Sequence, residues 1–123
     1  MIINEKLNED IKMNEITING EVYIKKHHNA SDYSIVRTYS AGVFFGIIES
    51  RDGKEVVIRN ARRIWSWEGA ASLSQLASTG TSRPNECKFP CAVDKIIVLE
   101  AIEILPMTEQ SFACLSTVPV WSK

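Results

Sequence analysis

The strongest constraint on this chain is a tight turn set between two strand-like runs. Asp52-Gly53 lies at the tip of "RDGK", preceded by "YSIVRTYSAGVFFGIIES" and followed by "EVVIRNARRIWSW". Both runs are rich in β-branched and aromatic residues, and neither contains proline. Such residues suit a pleated, half-buried surface, and Asp-Gly suits the two-residue turn that joins antiparallel strands. The pattern predicts antiparallel pairing across Asp52-Gly53. The first run should hold one or two strands, interrupted near Ser40-Ala41-Gly42, and the second should bend at Asn60. Gly42 and Gly46 lie opposite the second run. Glycine weakens a strand unless a bulge or a close approach needs it.

A second turn repeats the logic. In "EITINGEVYIKK" Ile16 and Ile18 alternate with polar residues, Asn19-Gly20 turns the chain, and Val22 and Ile24 resume the alternation. That reads as a hairpin. Residues 1–14 read as a polar N-terminal arm, and "HHNASD" as a loop. "GAASLSQLAS" is the best helical stretch, with Ala70, Leu73, Leu76 and Ala77 on one face and Gly80 closing it. "TSRPNECKFPC" reads as a proline-containing loop. "VDKIIVLEAIEILP" reads as a long strand pair or one buried strand. Thr108 can cap a second short helix carrying Phe112 and Leu115. Trp121, in the closing "VPVWSK", should pack on the body or at a subunit contact. The order predicts a single small α+β domain over residues 15–123: a mainly antiparallel β-sheet with two short helices.

A chain of 123 residues with 45% apolar and 24% charged content can build one core without disulfides or metal. Its formal net charge of -1 argues against general nucleic-acid binding. The balance is uneven, however. Arg51, Lys54, Arg59, Arg62 and Arg63 stand against Asp52 and Glu55 in one short stretch, and local fields steer ligands. The charged start "MIINEKLNED" predicts no secretory signal, and no apolar run is long enough for a membrane span. Three cysteines in that context predict reduced thiols in the cytosol.

Several chemistries lack their parts. Adjacent His27-His28 and the lone Cys87-x-x-x-Cys91 pair do not supply the four convergent ligands of a zinc site. There is no Gly-x-Ser-x-Gly elbow and no phosphate-binding glycine loop. Ser40 has no evident base in the sequence. Glu100 and Glu103 read as the wet face of a strand. No enzyme, no metal and no cofactor is expected.

Binding remains. "IRNARRIWSWEG" places Arg59, Arg62 and Arg63 beside Trp65 and Trp67. Arginine forks match phosphate oxygens, and indoles stack on bases. Arg37, Tyr39, Ser40, Ala41 and Gly42 add a cation, a ring and a stretch where a ligand can approach the backbone. Ser72 and Gln75 could read a base edge from the adjoining helix. Simple alternation would put Arg63, Trp65 and Trp67 on one strand face. The bland alternative is arginine stacked on tryptophan as structural cement.

The combination "RTYSAGVFFG…ESRDGKEVVIRNARRIWSWEGAASLSQLA…ECKF", with "AIEILPMTE" and "VPVW", resembles a widespread family of small phage and prophage proteins that carry a domain of unknown function. The likeness spans roughly residues 33–121. In kind the chain is similar to anti-CBASS and anti-Thoeris sponges, phage immune-evasion proteins that bind cyclic-nucleotide signals of bacterial defence without cleaving them. That resemblance implies a cyclic dinucleotide or cyclic ADP-ribose ligand, a homo-oligomer in the host cytosol, and no membrane. A phage inhibitor or adaptor of a host protein is the alternative, since Trp and Arg are favoured interface anchors.

Overall fold

A computed structural model describes residues 32–123 throughout and, before them, the backbone of two strands, β1 (Glu15–Ile18) and β2 (Glu21–Ile24). These two pair antiparallel, Ile18 against Glu21, as the alternation predicts. The expected arm at 1–14, the Asn19-Gly20 turn itself and the loop at 25–31 lie outside the described residues.

The rest is one antiparallel sheet and two helices. β3 (Tyr33–Thr38), β4 (Val43–Asp52), β5 (Glu55–Arg63), β6 (Val93–Val98) and β7 (Ala101–Pro106) lie in the order β6-β5-β4-β3-β7. β3 and β4 are separate strands, broken at Tyr39–Gly42, and β4 meets β5 through the turn at Asp52↔Glu55. Between β5 and β6 runs α1 (Leu73–Ser78), and after β7 comes α2 (Glu109–Leu115). Thr108 caps α2 as predicted, its hydroxyl accepting from the Ser111 N–H at 3.0 Å. Helix α1 is shorter than the predicted stretch: it starts at the N-cap Ser72, and Gly80 follows its last turn at φ +85°.

"VDKIIVLEAIEILP" forms two strands that do not pair with each other. β6 and β7 lie at opposite edges, yet only Leu99 and Glu100 separate them. A flat sheet would set those edges about 19 Å apart, four strand spacings. Three Cα steps span at most about 11 Å. The sheet must therefore curl, and main-chain bonds draw its edges together. The Ala101 N–H donates to the Lys54 carbonyl and the Tyr39 N–H to the Glu100 carbonyl, each at 2.9 Å. The run is not a buried strand. Ile97 and Leu99 are more than half exposed.

Curling creates two cores. Val36, Phe44, Val56, Ile58, Ala61 and Val98 fill the concave side. Ile35, Phe45, Ile64, Leu76, Phe89 and Leu115 fill the side covered by the helices. Adjacent residues on β3 and β4 thus alternate between cores, as the pleat requires. On β5 the alternation breaks. Phe45 pairs with Arg62 but Ile47 pairs with Arg59, so β5 carries one extra residue opposite Gly46. Asn60, at φ +51°, takes that place. A side chain at Gly46 would press on Ile58 at 2.5 Å and the Arg59 carbonyl at 2.7 Å, so the bulge and the glycine require each other. The expected bend at Asn60 is therefore a bulge, and it resets which side every later residue of β5 faces.

Candidate functional site

The bulge sends the two neighbouring arginines apart. Arg62 turns to the helix-covered core and is 9% exposed. Its Nε donates to the Pro90 carbonyl at 2.8 Å, and its Nη2 to the carbonyls of Phe89 (3.1 Å), Val118 (2.8 Å) and Pro119 (3.1 Å). The guanidinium carbon also lies 5.3 Å from the centre of the Phe89 ring. Burial lowers its pKa from the ordinary arginine value, and the Cys91 thiol group acts in the opposite direction. The residue expected to meet phosphate is instead a tie between two distant chain segments.

Arg63 turns to the concave side. Its guanidinium carbon sits 4.4 Å above the centre of the Phe44 ring, and Nη1 donates to the Ala41 carbonyl. Opposite stands the β3–β4 turn. Gly42 lies at φ +95°, and a Cβ there would come within 3.3 Å of Arg63 Nη1, so glycine serves both the turn and the close approach. Thr38 pins the turn, its hydroxyl donating to the Gly42 carbonyl at 2.7 Å and accepting from the Ala41 N–H at 2.9 Å. The Ser40 hydroxyl donates to Glu100 Oε1 at 2.7 Å, linking the turn to the β6–β7 bend. Ser40, Ala41, Phe44 and Arg63 face Val98 and Glu100 across an open hollow of about 320 Å³. Tyr39, beside it, is 77% exposed.

The other expected site residues lie elsewhere. Arg37 pairs with Glu103 at 2.8 Å, and Arg59 with Glu49 at 3.3 Å, all exposed. Trp67 is half-buried against the helix-side core, its indole N–H donating to the Ala70 carbonyl at 3.1 Å. Ser72 accepts from the Gln75 N–H at 3.2 Å, and Gln75 Oε1 accepts from the Ala71 N–H at 2.9 Å. That is a variant of the Ser-x-x-Gln capping box, readable in "SLSQ", and it gives both side chains a structural task. Trp67 and Gln75 border a separate hollow of about 400 Å³ with Gly69 and Arg83. Arg63, Trp65 and Trp67 do not share a face, because β5 ends at Arg63 and the alternation ends with it. The single wall expected from the sequence is divided among several places.

Comparison with known families bears on the whole stretch. Residues 31–115 match a domain of unknown function (DUF6948). The chain belongs to that family. No curated protein and no solved structure matches it. The DUF6948 match takes in β3 through α2, and so the entire Arg63 hollow. It stops before Val118 and Trp121.

Trp121, beyond the DUF6948 span, joins two residues within it in a feature that the sequence does not signal. Trp121 stacks on Trp65, ring centres 6.0 Å apart and planes 15° from parallel, and Lys88 Nζ lies 5.6 Å from the centre of the Trp121 ring. Trp65 is 61% exposed. The three residues are far apart in the chain, so spacing gives no signal. Among the described residues no three metal-ligating side chains gather, and no helix is long and apolar enough to cross a membrane. His27 and His28 lie outside the described residues.

Proposed function

We propose that the protein binds a small cyclic nucleotide, of cyclic dinucleotide or cyclic ADP-ribose type, and sequesters it without cleaving it, as a phage-encoded immune-evasion protein in the host bacterial cytosol. The observation that carries this reading is Arg63 standing over the hollow at the β3–β4 turn. A volume of about 320 Å³ falls at the small end of ligand sites. Arg63 supplies a cation whose charge can meet a phosphate. Ser40–Gly42 let a ligand approach main chain rather than bulky side chains. Tyr39, next to Ser40 in the chain and largely exposed, would offer a ring to a base. The Ser40 hydroxyl donates to Glu100, which leaves its oxygen to accept from a ligand, and a carboxylate this open to water serves orientation better than proton abstraction.

Calorimetry against a panel of cyclic dinucleotides, cyclic trinucleotides and cyclic ADP-ribose isomers tests the proposal. Binding of one member, weakened at least tenfold by Arg63→Ala, supports it. No heat from any member overturns it. Nucleotide recovered after heat denaturation should be chemically intact.

A second reading, a protein–protein adaptor, has its own observation. Four of the seven exposed large hydrophobic residues described, Val93, Ile97, Leu99 and Ile102, lie on the β6–β7 run. Apolar side chains on edge strands suit a protein contact. Under the first reading the same strip would join copies of this chain into a homo-oligomer. A pull-down from host lysate that retains a host protein and no nucleotide would favour the adaptor.

A further inference from the structure

Trp65 is costly where it stands. Indoles contribute most when buried, and this one leaves most of its surface in water although the core ends one residue away, at Ile64. It is nevertheless held firmly. Lys88 and Ser66 exchange main-chain hydrogen bonds at 2.9 and 3.2 Å, and the Trp65 N–H donates to the Lys88 carbonyl at 3.1 Å. The Trp121 N–H donates to the Phe89 carbonyl at 2.9 Å. Arg62 ties residues 89–90 to 118–119 from beneath. Three distant segments are laced together, and the lacing presents two near-parallel indoles and one ammonium.

We propose that Trp65, Trp121 and Lys88 form a second binding site, for the nucleobase and phosphate of a free nucleotide. The base stacks on the solvent face of Trp65, and the Lys88 ammonium draws the phosphate. The chemistry selects this occupant. A flat indole face takes any base, and a neighbouring cation adds preference for one that carries an anion. A free nucleotide is favoured over a nucleic-acid strand because the whole chain is slightly acidic, and a polyanion would meet that field along its length. The site shares no residue with the Arg63 hollow and does not depend on it.

The test titrates the full chain with AMP and with adenosine at low salt, following indole fluorescence, in the parent and in an Arg63→Ala background. AMP should quench the fluorescence in both. Trp65→Ala, which removes an exposed ring without emptying the core, should weaken AMP and adenosine alike by about tenfold, the worth of one stacked base. Lys88→Gln should weaken AMP several-fold and leave adenosine unchanged. Absence of quenching at millimolar AMP overturns the proposal, as does AMP affinity that ignores Trp65 or follows Arg63. Self-association abolished by Trp65→Ala would assign the indoles to a second copy instead. Tighter binding of oligothymidylate than of its mononucleotide would assign them to nucleic acid. Either result overturns the free-nucleotide site.

Discussion

Arg62 and Arg63 are neighbours in the chain with the same side chain, and they do opposite work. Arg62 is enclosed, and main-chain carbonyls from residues 89–90 and 118–119 surround it. Arg63 stands at the rim of a hollow, resting on one ring and one carbonyl. A buried guanidinium is tolerable only when its donors are satisfied, and it then becomes part of the architecture. A half-exposed one keeps donors for a ligand. The lesson is that residue type marks a capacity, and the sheet's phase decides which arginine keeps it. Here the extra residue at Asn60 sets that phase.

The comparison can be broken most severely at Arg62. Arg62→Leu keeps an apolar stem but strands four carbonyls, and should cost about 3 kcal/mol in a urea melt, at charged hydrogen-bond magnitudes. A loss below about 1 kcal/mol would mean those carbonyls find water and that Arg62 is no tie. Next is the bulge. Gly46→Ala forces a methyl against Ile58 and the Arg59 carbonyl and should cost about 2 kcal/mol, as overpacking does. Thermal melting reads this, and an unchanged midpoint would show that the bulge can move. Arg63→Ala should be milder, under about 1 kcal/mol for a lost cation–π contact, while weakening the proposed cyclic-nucleotide binding at least tenfold. If it destabilises as much as Arg62→Leu, the two arginines are both structural and the contrast fails. Smallest are Arg37→Ala and Arg59→Ala. Each removes an exposed ion pair and should shift stability by about 0.3 kcal/mol, less in high salt. A larger, salt-insensitive loss in either would give that arginine a structural share.

Much of the fold was legible. Asp52-Gly53 announced the β4–β5 hairpin, Thr108 announced α2, and the β-branched runs became strands. Local chemistry decides these features, since turn and cap preferences act within a few residues. The candidate site was legible only in part. Ser40 and Ala41 do meet Arg63 at a hollow, as their placement on either side of the turn suggested. The Arg63–Trp65–Trp67 face failed because strand alternation was carried past the end of β5. Ser72 and Gln75 had a readable capping signature that outweighs their value as ligand contacts. "VDKIIVLEAIEILP" became two strands, and the alternative of one buried strand failed. Apolar composition cannot tell a central strand from the two outer strands of a curled sheet.

By itself the sequence determined a single α+β domain, the position of its main hairpin, the caps of its helices and a local excess of cation and indole. Each follows from interactions between residues near in the chain. Tertiary structure alone decided that Arg62 is enclosed and Arg63 open, that β6 and β7 part to opposite edges, and that Trp121 finds Trp65. Those outcomes depend on a one-residue bulge and on contacts across more than fifty positions. A pleat has a period of two, so a single extra residue reverses every side chain that follows.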